Sequence, residues 1–106
     1  MHLKPEDTII VTRHPGIVEW LEKHYSITGT VKQSVTIEDI KGKHIIGEIP
    51  AYCAQYAFCV SAIIWPHPWK EYGTGTLTYE DVVAMEPELF TYVVVPVVDT
   101  DPTDYY

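Results

Sequence analysis

The first regular pattern in the chain is a run of β-branched residues followed by helical periodicity. Residues 8–12 are β-branched throughout and too few for a helix, which predicts a buried strand. Pro15 and Gly16 follow closely and end that strand in a tight loop. After the loop, apolar residues recur at the spacing of one helix face, at Ile17, Trp20 and Leu21. Strand, loop and helix are therefore expected in immediate succession.

The same alternation of extended and helical segments continues along the chain. Extended segments are predicted at residues 31–34, 44–49, 61–65 and 90–98, and helical segments at residues 36–40, 51–60 and 78–85. Thr36 with Asp39, and Thr78 with Asp81, have the spacing of a helix capping box. Because strands alternate with helices, we predict an α/β sandwich with helices flanking a mostly parallel sheet of about five strands. Residues 1–98 are expected to form this domain and the acidic residues 99–106 a flexible tail.

The charge of the chain is unevenly distributed, and this limits the ligands it can take. Seven Lys plus Arg against fifteen Asp plus Glu give a net charge of −8 over 106 residues. Residues 80–106 carry seven acids and no base, which leaves residues 1–79 near neutral, with seven bases, eight acids and all five histidines. The acidic balance argues against binding of long DNA or RNA. It leaves room for a small anionic ligand held in a local pocket.

The cysteines and the hydropathy narrow the class of protein further. Cys53 and Cys59 lie six residues apart, which is typical of neither a redox pair nor a zinc site, so we expect reduced thiols, no metal and no cofactor. No apolar run approaches the roughly 20 residues that a membrane span needs, and charged residues interrupt the start of the chain, where a signal peptide would lie. We therefore expect a soluble cytoplasmic protein with no membrane partner.

Ligands of parallel α/β sheets bind at the carboxyl ends of the strands, and this rule selects three loops, at residues 12–16, 47–52 and 65–76. In the first loop, Thr12 and Arg13 precede a helix N-terminus. The amides around Gly16 and the guanidinium of Arg13 favour a phosphate there. His14 has an ordinary pKa near neutrality and could move a proton. The alternative is a surface ion pair between Arg13 and an acid, with His14 as a turn residue.

The second and third loops supply further candidates. Gly47 and Pro50 are candidate ligand-binding residues of the second loop. The third loop combines aromatic rings, an imidazole, a cation and hydroxyls, at Trp65, His67, Trp69, Lys70, Thr74 and Thr76. Rings beside a cation suit stacked bases next to a phosphate, so we expect Lys70 to act with Arg13 and His14 in catalysis. The alternative is that the tryptophans fill the edge of the core.

Three segments of the chain resemble one protein family. Residues 11–21, which read Val-Thr-Arg-His-Pro-Gly and then Glu-Trp-Leu, resemble the first motif of the Csx-sixteen family, small CRISPR-associated proteins of type III loci. Residues 39–50 resemble that family's apolar segment with an internal glycine and a final proline, and residues 77–80 its acidic helix start. Together these segments span most of residues 8–86, and the first motif is the most specific.

The resemblance implies a minimal Rossmann-like domain, similar to the CARF (CRISPR-associated Rossmann-like) proteins, that forms a homodimer and binds a cyclic oligoadenylate. The family is placed among the ring nucleases, which linearise cyclic tetra-adenylate and so turn off type III CRISPR signalling in antiviral defence. We expect such a phosphodiesterase to act without a metal. It needs no outside nucleophile, because a ribose 2′-hydroxyl can attack the adjacent phosphorus. Residues 65–73 contain no arginine where the family has an arginine–glycine pair. A protein that binds the ring without cutting it is therefore the first alternative.

A second alternative comes from the residues after the first strand. Arg13 and His14 resemble the Arg-His-Gly start of histidine phosphatases, in which the histidine is phosphorylated by the substrate. Pro15 stands between His14 and Gly16 here, and the chain is short for that fold. A histidine-phosphatase-like phosphoesterase is therefore the less favoured hypothesis.

Overall fold

The computed structural model describes residues 4–66 and 75–97, which form a five-stranded sheet with helices on both faces. The strands are β1 (Thr8–Val11), β2 (Thr30–Lys32), β3 (His44–Ile46), β4 (Cys59–Ile64) and β5 (Glu88–Tyr92). The helices are α1 (Pro15–Tyr25), α2 (Ile37–Ile40), α3 (Ala51–Ala54) and α4 (Tyr79–Met85), and a 3₁₀ turn, Pro5–Asp7, precedes β1. None of the helices in these ranges has the length and apolar character to cross a bilayer.

The strands lie in the order β2-β1-β3-β4-β5. The first four are parallel, and β5 runs antiparallel to β4. The central strands carry buried apolar residues on both faces, as is typical of parallel strands covered by helices: Ile9, Ile10, Ile45, Ile46 and Val60 are all buried. The predicted α/β fold with a mostly parallel sheet of five strands is thus confirmed.

The two faces of the sheet are covered by helices of different length. On one face, α1 and α4 pack over Ile10 and Ile46 and bury Trp20, Leu21 and Met85. On the other face, the four-residue helices α2 and α3 cover Ile9, Ile45 and Val60. The larger cluster lies under α1, the helix that follows the first candidate loop.

Both predicted capping boxes are present. The Thr36 hydroxyl accepts the Asp39 amide at 3.2 Å, and the Asp39 carboxylate accepts the Thr36 amide at 2.8 Å. Thr78 and Asp81 repeat the exchange at 3.2 and 3.0 Å, at the start of α4. These bonds satisfy amides that a helix start would otherwise leave unpaired.

Several predicted element boundaries were wrong. The helix predicted at residues 51–60 ends at Ala54, because Cys59 and Val60 pair with His44 and Ile45 as the start of β4. A short buried apolar run does not distinguish helix from strand by its period. The strand predicted at residues 44–49 ends at Ile46, and the last strand lies at Glu88–Tyr92 rather than residues 90–98. Residues 98–106 lie outside the described part of the chain.

Candidate functional site

The strand order reverses at β1, because the chain crosses from β1 to β2 on one side and then to β3 on the other. Loops that leave two such strands in opposite directions open a crevice at their carboxyl ends. A cleft of about 480 Å³ lies at this position, a size that suits a small ligand. Its floor is apolar, and its polar rim comes from the loops after β1, β2 and β3. The residues that line it are Ile10, Val11, Thr12, Arg13, His14, Ile17, Gln33, Ile46, Gly47, Glu48, Ile63 and Trp65.

His14 anchors the first loop. Its side chain is buried, and its Nδ1 accepts the backbone N–H of Leu77 at 2.9 Å, across 63 residues of sequence. Its own backbone N–H donates to the hydroxyl of Thr12 at 3.1 Å. Burial, and after it the nearby Arg13 guanidinium, hold the pKa of His14 below its ordinary value. Because Nδ1 is an acceptor, the neutral imidazole carries its proton on Nε2.

Gly16 brings α1 against the segment that precedes α4. A Cβ at this position would lie 2.3 Å from the carbonyl carbon of Thr78, which no backbone tolerates. The Gly16 amide donates to the Leu77 carbonyl at 3.2 Å. Leu77 thus binds the loop twice, through His14 and through Gly16. Gly16 does not line the cleft. The structure gives it a packing contact, and its contact with a phosphate stays a prediction.

Arg13 is an exposed cation on the wall of this cleft. Within residues 4–66 and 75–97 no carboxylate lies within ion-pair distance of it. The next two lysines in the chain are instead paired with acids: Lys23 lies 2.8 Å from Glu19, and Lys32 lies 3.3 Å from Asp39. The surface ion pair considered as an alternative is therefore not found among the described residues. An anionic ligand would meet a guanidinium that is not already neutralised.

Gly47 places the second loop over the end of β1. Its φ of +130° favours glycine, and a Cβ would lie 2.5 Å from the Val11 carbonyl oxygen. The Gly47 amide also donates to the Ser61 carbonyl at 3.0 Å, so the turn is held between β1 and β4. The residue after it, Glu48, is exposed and lines the cleft.

Five of the residues proposed from the sequence meet at this cleft: Thr12, Arg13, His14, Gly47 and Trp65. Trp65 is half-buried and also packs against the larger apolar cluster, so the core interpretation of this tryptophan holds in part. Pro50 caps α3, Thr76 is exposed before α4, and neither lines the cleft. The remaining proposed residues, His67, Trp69, Lys70 and Thr74, lie outside the described part of the chain.

Gln33 and Glu48 line the cleft although sequence reasoning did not single them out. Glu48 lies in the loop that the carboxyl-end rule selected, so that rule could have found it. Gln33 follows β2, and only the pairing of β2 beside β1 brings it to the site. The amide of Thr12 donates to the Lys32 carbonyl at 2.9 Å and holds these two strand ends together.

Comparison with known protein families, curated proteins and solved structures finds no match for this chain. The chemistry of the cleft therefore carries the functional argument.

Proposed function

We propose that this protein is a ring nuclease, which binds a cyclic oligoadenylate and linearises it without a metal. Cyclic tetra-adenylate is the first candidate substrate. The observation that carries the proposal is Arg13, an exposed cation without an ion pair among the described residues, at the switch point of the sheet. The resemblance of residues 11–21 to the Csx-sixteen family supports the same substrate class.

Arg13 would bind the phosphodiester that is cleaved. A guanidinium donates to two phosphate oxygens at once and stabilises the extra charge of the phosphorane transition state. The ribose 2′-hydroxyl gives up its proton and attacks the phosphorus, the bond from phosphorus to the 5′-oxygen breaks, and that oxygen takes up a proton from water. The product is linear, with a 2′,3′-cyclic phosphate at one end and a 5′-hydroxyl at the other. Lys70, proposed from the sequence to share the charge, stays a prediction.

The structure changes the role that we assign to His14. An imidazole whose Nδ1 accepts a backbone amide and whose Nε2 carries the proton has no lone pair left to take a proton. We therefore assign His14 the positioning of Arg13. Glu48, a carboxylate on the wall of the same cleft, can accept the proton of the 2′-hydroxyl. The same tautomer argues against a phosphatase, because phosphorylation of His14 would need that lone pair.

A protein that binds the ring without cutting it is the second candidate, and the His14 tautomer favours it, since it removes one base from the cleft. In either case we propose that two copies of the chain bind one ring. A cyclic oligonucleotide repeats its phosphates by symmetry, and a two-fold dimer presents the Arg13 loop twice.

The test is incubation with cyclic tri-, tetra- and hexa-adenylate in the presence of a chelator, followed by chromatography and mass analysis of the product. We expect a linear product with a 2′,3′-cyclic phosphate from the wild type. Arg13→Ala should cut about 100- to 1,000-fold more slowly. Lys41→Ala is the matched control, because Lys41 is an exposed cation that is already paired with Glu38 at 2.9 Å and does not line the cleft. An Arg13→Ala rate equal to wild type would refute the assignment. Intact ring together with a thermal shift would identify the binding protein.

A further inference from the structure

A second cleft, of about 450 Å³, lies on the other side of the Arg13 loop. It is formed between the end of β2 and the first turns of α1, with Val18, Glu22 and Val31 on its walls. The two clefts share one wall, made by Thr12, Arg13, His14 and Gln33. A ligand whose phosphate sits on Arg13 can therefore extend in two directions, and each direction ends in a space of similar size.

The charges around the two clefts have a distinct order. The cation, Arg13, is on the shared wall. Carboxylates lie on the outer walls, with Glu48 in the first cleft and Glu19 and Glu22 in the second. Glu22 forms no ion pair among the described residues, whereas its neighbour Glu19 is bound by Lys23. A phosphate is thus attracted to the centre and repelled from both outer walls.

This order fits one phosphodiester with an uncharged nucleoside on each side. A carboxylate accepts a hydrogen bond from an amino group on the edge of a base. A glutamine amide forms two hydrogen bonds with adenine, one as donor and one as acceptor. Adenine carries such an amino group, so Glu22 and Gln33 suit it as partners. A mononucleotide would place its phosphate on Arg13 and fill only one of the two clefts.

We infer that the binding unit of this chain is a dinucleoside monophosphate step with amino-bearing bases, its phosphate on Arg13 and one nucleoside in each cleft. The inference rests on the proposed function and deepens it, because it names the part of the ring that one chain holds. It adds a second nucleoside subsite, lined by Val31 and Glu22, to the cleft at the switch point.

The experiment compares the affinity of AMP with that of adenylyl-(3′→5′)-adenosine whose first nucleoside is 2′-deoxy, which blocks the attack. We expect the dinucleotide to bind at least about tenfold more tightly to the wild type, because a second base is held. Val31→Trp fills the second cleft from a half-exposed edge position, so its affinity for the dinucleotide should fall to its affinity for AMP. Val83→Trp, on α4 and lining neither cleft, should behave as the wild type.

A second variant tests the chemistry of the new subsite without filling it. Replacement of the adenines by hypoxanthine removes the amino group, so the inosine dinucleotide should bind the wild type about tenfold more weakly. Glu22→Ala removes the acceptor from the second cleft and should reduce that discrimination.

The outcomes separate the two proposals. Equal affinity of the wild type for AMP and the dinucleotide would overturn the second subsite and leave the proposed function standing. Equal discrimination by Glu22→Ala and the wild type would overturn the role of Glu22. No binding of AMP, of the dinucleotide or of any cyclic oligoadenylate would overturn both proposals.

Discussion

His14 and His44 are both buried imidazoles, and burial lowers the pKa of each, yet they belong to regions of different kinds. The Nε2 of His44 lies 2.6 Å from the Ser61 hydroxyl, which lies 2.7 Å from the hydroxyl of Thr91. This polar chain joins three strands of the sheet and lines neither cleft. His14 instead holds the loop that carries Arg13, the exposed cation on the wall of both clefts.

The comparison shows that burial and a lowered pKa do not by themselves identify a functional histidine. The region around His44 has no access to a cleft, since Ser61 is fully buried and the hydrogen bonds from His44 end within the sheet. The His14 region is open on the side of Arg13, which lines both clefts. What distinguishes the two regions is therefore the surface that each adjoins.

The strongest test of this difference is to truncate each imidazole. His14→Ala leaves the buried Leu77 amide without its acceptor and frees the loop, so we expect ligand binding or cleavage to fall about 100-fold. His44→Ala should leave the site intact and lower only the free energy of unfolding, by about 1–3 kcal/mol. His14→Asn is the rescue variant, because its side-chain oxygen can accept the Leu77 amide. Equal losses of activity in the two alanine variants, measured below their melting temperatures, would contradict the comparison.

The packing beneath the first loop can be tested through its glycine. Gly16→Ala forces a Cβ into the Thr78 backbone and should reduce the free energy of unfolding by about 1–3 kcal/mol. Gly75→Ala is the matched control, since nothing lies within 4 Å of a Cβ there and its φ is not in the left-handed region. Urea denaturation of both variants measures the difference. A Gly16→Ala protein as stable as Gly75→Ala would mean that the contact between α1 and Thr78 is loose.

The pH dependence of stability should report both imidazoles. In the unfolded chain they titrate near 6.5, and burial lowers both native pKa values, so the unfolded state binds more protons below that pH. Stability from this source is complete above about pH 6.5 and is lost as the pH falls through the native values. We expect a lower unfolding free energy at pH 5.5 than at pH 7.5, with a smaller difference in His44→Gln. An identical pH dependence in wild type and His44→Gln would show that His44 titrates normally.

The smallest expected effect is also the most selective. Arg13 lowers the pKa of His14, although less than burial does, and it has no such influence on His44. Arg13→Gln should therefore raise the pKa of His14 and leave that of His44 unchanged, as measured by NMR titration of the imidazole protons. A shift of both pKa values, or of neither, would mean that the two regions are not electrostatically separate.

Much of the fold could be predicted because its signals are local. The capping boxes at Thr36 and Thr78 each join residues three apart, so the sequence contains the whole interaction. The helix predicted at residues 51–60 failed for the opposite reason. The end of that segment is the start of β4, because it pairs with β3. The paired residues are 15 apart in sequence, and a short stretch of sequence does not show that this pairing overrides the local preference for helix.

The candidate site divides in the same way. Arg13 and His14 were expected at a ligand site because they follow a predicted strand and precede a helix. The carboxyl-end rule needs only this order of elements in the chain. Other features of the site depend on contacts between distant segments. Leu77 holds His14, Gln33 lies on the wall beside Arg13, and the two clefts lie on either side of that wall. Propensities and caps act over a few residues and are encoded in sequence order. Strand order and cleft walls arise only when packing and hydrogen bonds join segments far apart in the chain.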